Sequence, residues 1–157
     1  MPLRSDWSST TCPIARSADV LADPWVLLIL RELFSGRTRF DQLRDATGAA
    51  DSVLARRLSS MVDAGLLARD DEPRPGYVLT DAGRETLPIL HAYARFSRVT
   101  DPDDGYGLTV SCARCGEAAA SVDWCTHCAA PLDADSTRWA RQSMGGASFT
   151  LLAGDAA

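Results

Sequence analysis

The sequence predicts a mainly helical chain with a small amount of antiparallel β-structure. Three observations support this prediction. Apolar residues recur at helical spacing from Pro13 to about residue 64, two short β-like runs flank a turn-rich loop after that, and a last helical segment extends to about residue 98. Four clustered cysteines beyond residue 107 indicate a separate small module. A chain of 157 residues buries enough surface to form a core without disulfides.

The first two helices, over residues 13 to about 35, are separated by an Asp-Pro step. Asp23 is the expected N-cap of the second helix, and Pro24 suits a first helical turn, where no backbone N–H is needed. The second helix is apolar nearly all round and ends at Gly36, so we expect it to be buried on most sides.

Two shorter helices follow. The third, over about 40–47, ends at Gly48, and the fourth, over about 51–64, ends at Gly65. A link of three or four residues that contains glycine is typical of a helix-turn-helix. The side chains expected to face inward from these two helices are Phe40, Leu43, Ala46, Leu54, Leu58, Met61 and Val62.

Two strands are predicted next, over 66–69 and 76–80. The loop between them, residues 70–75, contains two prolines and three acidic residues, and this composition excludes a strand interior. A helix-turn-helix with a third helix and a two-stranded wing is a winged helix-turn-helix, the fold that we predict for residues 12–99.

The last helix is predicted over 81–98, with Thr80 as its N-cap and a kink at Pro88. Its apolar side consists of Leu87, Leu90, Ala94 and Phe96. The whole chain is then divided into an N-terminal arm (1–11), the winged helix-turn-helix domain (12–99), an acidic linker (100–107), and a zinc-ribbon-like module with a C-terminal tail (108–157).

The fourth helix is the candidate for binding in the DNA major groove. At 100° per residue, its face opposite the apolar stripe carries Ser52, Val53, Arg56, Ser59 and Ser60. Arg56 is suited to a bidentate contact with guanine, Ser52 to a base or a phosphate, and Val53 to a thymine methyl group.

Further arginines surround this helix. Arg57 lies at the margin of the outer face and suits either a phosphate or an acid of its own chain. Arg37, Arg39 and Arg44 flank the helix-turn-helix, and Arg74 lies in the loop of the wing. These are candidates for phosphate or minor-groove contacts, which contribute affinity rather than sequence choice.

The net charge of −5 does not exclude DNA binding, because it is unevenly distributed. Through Arg98 the chain has 13 arginines and 13 acidic residues, whereas from Val99 onward it has 3 arginines and 8 acidic residues. The acidity therefore belongs to the C-terminal part. The longest apolar run has six residues, so no membrane span or secretory signal is expected and the favoured location is the cytoplasm.

Cys112, Cys115, Cys125 and Cys128 form two Cys-x-x-Cys pairs separated by nine residues. This spacing predicts a structural Zn²⁺ site in which four thiolates fill the coordination sphere, with iron as the less favoured metal. Two redox disulfides are the alternative, which a cytosolic location disfavours. His127, between two of the cysteines, is expected to be exposed.

Several segments together resemble the HxlR-type transcriptional regulators: Cys12–Ala15 with Asp19–Leu33, Arg39–Leu43, Val53–Leu58, Ala64–Leu67 and Tyr77–Arg84. The resemblance implies a DNA-binding homodimer related to the MarR group, joined through its first and last helices. Some members of the family carry similar cysteine-rich tails. Ala50 departs from the Ser or Thr that often begins the recognition helix, so we expect Asp51 to cap this helix instead.

The favoured function is a sequence-specific transcriptional regulator, as a repressor, that binds pseudo-palindromic duplex DNA and responds to an unidentified effector. His91 and Tyr93 on the last helix are candidates for an effector pocket, but packing in the core or in an interface is the favoured role. One alternative is a module that binds protein instead of DNA. Another is a redox sensor through Cys12, whose pKa Arg16 would lower at close range. We expect no enzyme, because no nucleophile–base pair, phosphate loop or open metal site is evident.

Overall fold

The computed structural model describes residues 7, 9–70, 74–100, 108, 110–119, 122–132, 137–140 and 148–150. The chain divides into two compact units, Met1–Gly107 and Leu108–Ala157, which are described separately below. Most of the predicted arm (1–11) and linker (100–107) lies outside the described residues. The described elements are helices and small antiparallel sheets, which confirms the predicted fold class.

The helices of the first unit are α1 (Pro13–Leu21), α2 (Pro24–Phe34), α3 (Phe40–Thr47), α4 (Asp51–Asp63), α5 (Asp81–Arg84) and α6 (Leu87–Thr100). Asp23 caps α2 as predicted, because its carboxylate accepts a hydrogen bond from the Trp25 backbone N–H at 3.0 Å. No helix in the described part of the chain is long and apolar enough to cross a membrane.

The core of the first unit is formed mainly by α2 and α4. Ile29 and Leu30 of α2 are fully buried, and the buried hydrophobic residues as a whole are Val26, Ile29, Leu30, Leu33, Leu43, Ala49, Leu54, Leu58, Met61, Leu66 and Leu67. Ala46 is exposed, contrary to prediction. The inward side of α3 follows Phe40, Leu43 and Thr47, and Ala46 lies to one side of that stripe.

The wing consists of β1 (Leu67–Asp70) and β2 (Gly76–Leu79), which pair antiparallel with Leu67 opposite Leu79. The first strand is therefore displaced by one residue from the predicted 66–69, and the second begins as predicted and ends one residue before the predicted 76–80. The Tyr77 N–H donates to the Thr38 carbonyl at 2.8 Å, which joins the wing to the segment before α3. Residues 71–73 of the wing loop lie outside the described part of the chain.

The prediction of one helix over 81–98, kinked at Pro88, is wrong. The chain leaves the helical path after α5, and Thr86 begins α6 by accepting a hydrogen bond from the Ile89 N–H at 3.0 Å. The buried Thr86 hydroxyl donates to the Gly83 carbonyl at 2.6 Å. Pro88 thus falls in the first turn of a new helix, where its missing N–H breaks no hydrogen bond and forces no kink.

Gly83 is buried where α5 packs against the base of the wing. A Cβ at this position would collide with the Leu66 carbonyl oxygen and lie 3.1 Å from the Leu79 Cδ2. The Gly83 N–H donates to the Thr80 hydroxyl at 3.1 Å, so Thr80 caps α5 as predicted. The position excludes any side chain for lack of space.

The second unit contains short antiparallel pairs. These are β3 (Trp124–Cys125) with β4 (Ala130–Pro131), and β5 (Arg138–Ala140) with β6 (Ser148–Thr150). A single bridge also joins Ser111 to Ala118. With only three residues, β5 is too short for its residue pattern to have predicted it.

Candidate nucleic-acid interface and cysteine hairpins

The helix-turn-helix is formed by α3 and α4, joined by residues 48–50. Gly48 adopts the left-handed conformation (φ +69°), which allows the chain to turn directly after α3. The N-cap of α4 is Ala50, which provides no capping side chain. The expectation that Asp51 caps α4 is wrong, because Asp51 is the first residue within the helix; its negative charge there still suits the helix dipole.

The inward face of α4 is fully buried at Leu54, Leu58 and Met61 and half-buried at Val62, and the opposite face is open to solvent. The structure places Ser52, Arg56, Ser59 and Ser60 together on this exposed outer face. Val53 is half-buried, so only part of its side chain is accessible beside them. The Ser60 hydroxyl donates to the Arg56 carbonyl at 3.0 Å, so the proton of this hydroxyl is already used in a hydrogen bond within the helix.

The two adjacent arginines of α4 have different environments. Arg56 is exposed, and no described residue pairs with its guanidinium. An Arg57 guanidinium nitrogen lies 2.5 Å from the Asp23 Oδ2, with side-chain exposures of only 19% and 14%. In this structure Arg57 thus makes the second of the two contacts that its position allowed, a pair with an acid of its own chain; a contact of Arg57 with DNA stays a prediction.

A buried carboxylate that the sequence analysis did not single out is Glu32 of α2. Only 6% of its side chain is exposed, and it pairs with Arg31 and with Arg37, the latter at 2.7 Å. The signal that would have found it is a lone acid in an apolar helix with an arginine on each side. Arg37 remains half-exposed.

Arg39 and Arg74 line the same open cleft, of about 290 Å³, between the start of α3 and the wing. The Arg39 Nε lies 3.4 Å from the Asp41 carboxylate, whereas the exposed Arg74 has no pairing partner among the described residues. Arg44, on the outer side of α3, pairs with Asp45 at 2.8 Å. The structure thus brings two of the predicted phosphate contacts together and leaves a third on a separate face.

Large apolar side chains are exposed along α6 and at the start of α1. We call Ile14, Tyr93, Phe96 and Val99 the apolar face; their exposures are 56%, 54%, 65% and 79%. An open groove of about 360 Å³ between α1 and α6 includes Ile14 and Tyr93 in its lining, whereas His91 is half-buried and does not line it. Such a concentration of exposed apolar surface is typical of an interaction site.

The four cysteines lie in two hairpins that have the same backbone construction. We call residues 110–119 and 123–132 the cysteine hairpins; the second repeats the first at a distance of 13 residues. Ser111 pairs with Ala118 in the first and Trp124 with Pro131 in the second. The residue after each second cysteine has a positive φ, +77° at Gly116 and +51° at Ala129.

Each hairpin directs hydrogen-bond donors at its first thiol. The Cys128 N–H lies 3.4 Å from the Cys125 Sγ. Backbone hydrogen bonds lower the pKa of Cys112, with the largest contribution from Arg114 and the next from Cys115. The pKa of Cys125 is lowered chiefly by a backbone hydrogen bond from Cys128. In each pair a hydrogen bond with the partner thiol lowers the pKa further. Donors of this kind favour the thiolate, which is the form that binds metal.

The described residues contain no group of three or more His, Cys, Asp or Glu side chains close enough to hold a metal ion. None of the four cysteines of the hairpins is in a disulfide, and His127 is exposed, as expected. Within each hairpin the backbone fits a two-thiolate ligand pair. The predicted tetrahedral set requires the two hairpins to close on one ion.

Cys12 lies just before α1 and occupies its N-cap position. It is half-buried and is not in a disulfide, and its N–H lies 3.3 Å from the Thr10 hydroxyl oxygen. Arg16, one turn further along α1, is exposed. The role of Cys12 as a redox sensor stays a prediction.

The exposed outer face of α4, the wing beside it and the helices on either side define a winged helix-turn-helix protein. Residues 20–101 match the HxlR-like helix-turn-helix family, and the chain belongs to that family. Its relatives are described as transcriptional regulators, so this is a family of regulators and not of enzymes.

Two curated relatives illustrate the similarity. An uncharacterised HTH-type transcriptional regulator of Synechocystis sp. is 42% identical over 86 residues, which cover 52% of this chain and 64% of that protein, somewhat less than two thirds of its length. An uncharacterised HTH-type transcriptional regulator of Mycobacterium tuberculosis is 33% identical over 120 residues, or 73% of this chain and 76% of that protein.

Among solved structures, the crystal structure of PA1607, a candidate transcription factor, is similar to this chain with a TM-score of 0.77 and 30% identity. The similarity covers 87% of this chain and 99% of that one. Because the first unit ends at residue 107, the similarity includes part of the second unit.

Proposed function

We propose that this protein binds duplex DNA sequence-specifically as a homodimer, with α4 as the recognition helix, and represses transcription by occupying its operator. The observation that carries the proposal is the exposed Arg56 at the centre of the outer face of α4, with no acid of the described chain paired to it. Small serine side chains on either side of Arg56 leave room for a base edge to approach. An arginine in that setting is suited to the O6 and N7 atoms of guanine.

The phosphate contacts that we propose come from the two sides of α4. Arg39 and Arg74 share the cleft below the wing, and Arg37 is half-exposed at the turn before α3. Arg37 and Arg39 each have an acidic neighbour, so their contribution to affinity will be smaller than that of Arg74, which has no pairing partner in the part of the chain that the structure describes. Arg57 is excluded from the proposed set because of its ion pair with Asp23.

The proposed homodimer forms through the apolar face on α1 and α6. Four large apolar side chains, each more than half exposed, would be buried against a second copy of the chain. A two-fold dimer presents two recognition helices to one face of the duplex. The apolar face and the outer face of α4 are on different helices, so no side chain is needed for both surfaces.

We also propose that Cys112, Cys115, Cys125 and Cys128 hold one structural zinc ion. The matching backbone of the two cysteine hairpins supports this assignment, as do the donors that favour the thiolate form of Cys112 and Cys125. Four thiolates leave no open coordination position, so the ion would supply folding free energy to the second unit and no catalysis.

The operator is expected to be a pseudo-palindrome. A selection from random duplex DNA with the purified protein should recover two inverted half-sites whose centres are separated by about one helical turn (~10 bp) or a multiple of it. The reason is that the two recognition helices of a symmetric dimer are related by a two-fold axis. Recovery of only asymmetric or single-stranded sequences would contradict the proposal.

Arg56→Ala is expected to relax base preference at one position in each half-site. The loss should be about 1–3 kcal/mol for the preferred base and much smaller for other bases at that position. The measurement is a binding titration against single-base variants of the selected operator.

Arg84→Ala is the matched control for Arg56→Ala, because Arg84 is an exposed arginine on α5, outside the helix-turn-helix. The control should leave base preference unchanged. Uniform weakening of all DNA sequences by Arg56→Ala would assign Arg56 to a phosphate and contradict its role in base recognition.

A further inference from the structure

One carboxylate connects the start of α2 to the recognition helix. The Asp23 Oδ1 accepts the Trp25 N–H at 3.0 Å and thereby caps α2, while its Oδ2 pairs with the Arg57 guanidinium. Both side chains are more than four-fifths buried, so solvent screens this pair less than the surface pairs of α3. The side chain of Asp23 is therefore a fixed link between two helices.

This link lies beside a half-open cleft at the edge of α4. The cleft has a volume of about 100 Å³ and is lined by Arg57, Met61, Val26 and Asp19, among others. The Arg57 Nε is buried without a hydrogen-bond partner in the described part of the chain. Among the described residues, Asp23 is the acid that the structure pairs with this guanidinium.

We infer that Asp23 and Arg57 are positioning residues for DNA recognition: their ion pair sets the rotation and depth of α4, and through them the approach of Arg56 to the base. The inference rests on the proposed DNA binding by α4. Arg56 and Arg57 are adjacent, so any rotation of α4 that moves one guanidinium moves the other. Bidentate base contacts demand close geometry, whereas phosphate contacts tolerate displacement.

A variant without the Asp23 charge distinguishes the positioning of α4 from the effect of overall charge on DNA binding. Loss of a negative charge near DNA should tighten binding if only the overall field matters. If the pair positions α4, Asp23→Asn should instead weaken operator binding. Asparagine caps a helix as well as aspartate does, so α2 should keep its N-terminus.

The experiment measures affinity for the selected operator and for unrelated duplex DNA over a range of salt concentrations. We expect Asp23→Asn to weaken operator binding about tenfold, while binding to unrelated DNA stays equal or becomes tighter. We expect Arg57→Gln to produce the same loss with an unchanged salt slope, because no phosphate contact is removed. The double variant should lose no more than either single variant, since both remove one interaction.

Asp45→Asn is the matched control, because it also removes one carboxylate from an Asp–Arg pair of the helix-turn-helix, at a site where Asp45 is 70% exposed. It should not weaken operator binding. Thermal unfolding of each variant verifies that the fold is retained, and Asp23→Ser, with another good N-cap residue, replaces Asp23→Asn if that variant does not fold.

Three results would overturn the inference. Unchanged or tighter operator binding by the Asp23 variants would remove the positioning role. A salt slope reduced by about 0.9 in Arg57→Gln would make Arg57 a phosphate contact. Additive losses in the double variant would mean that the two residues act independently. Failure of the unmodified protein to select any duplex sequence is a different result, which refutes the proposed function and the inference with it.

Discussion

Gly83→Ala is expected to destabilise the winged helix-turn-helix by about 3 kcal/mol or more, which lowers its Tm by roughly 12 °C or more. The added methyl group would collide with the Leu66 carbonyl oxygen, at the base of the wing. A backbone atom cannot move aside as a flexible side chain can, so α5 would have to separate from the wing. Thermal unfolding followed by circular dichroism measures the effect.

Gly48→Ala is the control that separates lack of space from backbone strain. Gly48 has a positive φ of +69°, but a Cβ there would meet nothing within 4 Å. The cost should therefore be only the left-handed backbone penalty, about 1 kcal/mol. If the Tm of Gly83→Ala is no lower than the Tm of Gly48→Ala, the close approach of Gly83 to Leu66 does not limit the stability of the fold.

Cys115→Ser is expected to abolish stoichiometric metal binding and to unfold the second unit. Loss of one ligand of four removes most of the binding free energy, which is on the order of 10 kcal/mol for structural zinc sites and is folding free energy for a small module. Protein purified under reducing conditions should contain about one equivalent of zinc, and the variant far less. Metal analysis and limited proteolysis measure the two effects.

Two other variants serve as controls for the cysteine hairpins. Cys12→Ser removes a cysteine of the first unit, and His127→Ala removes an exposed side chain between two ligands, so neither should change the metal content. Operator binding by Cys115→Ser should persist, because α4 belongs to the other unit. Less than half an equivalent of zinc or iron in the unmodified protein would refute the metal site.

Local signals in the sequence were sufficient for most of the helix-turn-helix. The Asp23 cap, the glycine after α3 and the apolar stripe of α4 each act within one or two turns, so short-range spacing predicted them correctly. The prediction of the last helix was wrong because it depended on tertiary structure and not on local spacing. Pro88 disrupts a helix in its interior but not in its first turn, and the break at Thr86 that decides between these cases is stabilised by the tertiary burial of its hydroxyl.

The functional residues divide in the same way. The amino-acid sequence was enough to predict the family, the outer face of α4 with Arg56 on it, and the two matching Cys-x-x-Cys pairs, because each of these depends on residue type and spacing along one segment. Which arginines remain available depends on their ion pairs. Arg37 meets the buried Glu32 at a separation of only five residues and stays half-exposed, so that pair is local. Arg57 meets Asp23 across 34 residues of sequence, because packing of α2 against α4 brings the two opposite charges together where both side chains are mostly removed from water, and no spacing along one segment reveals this.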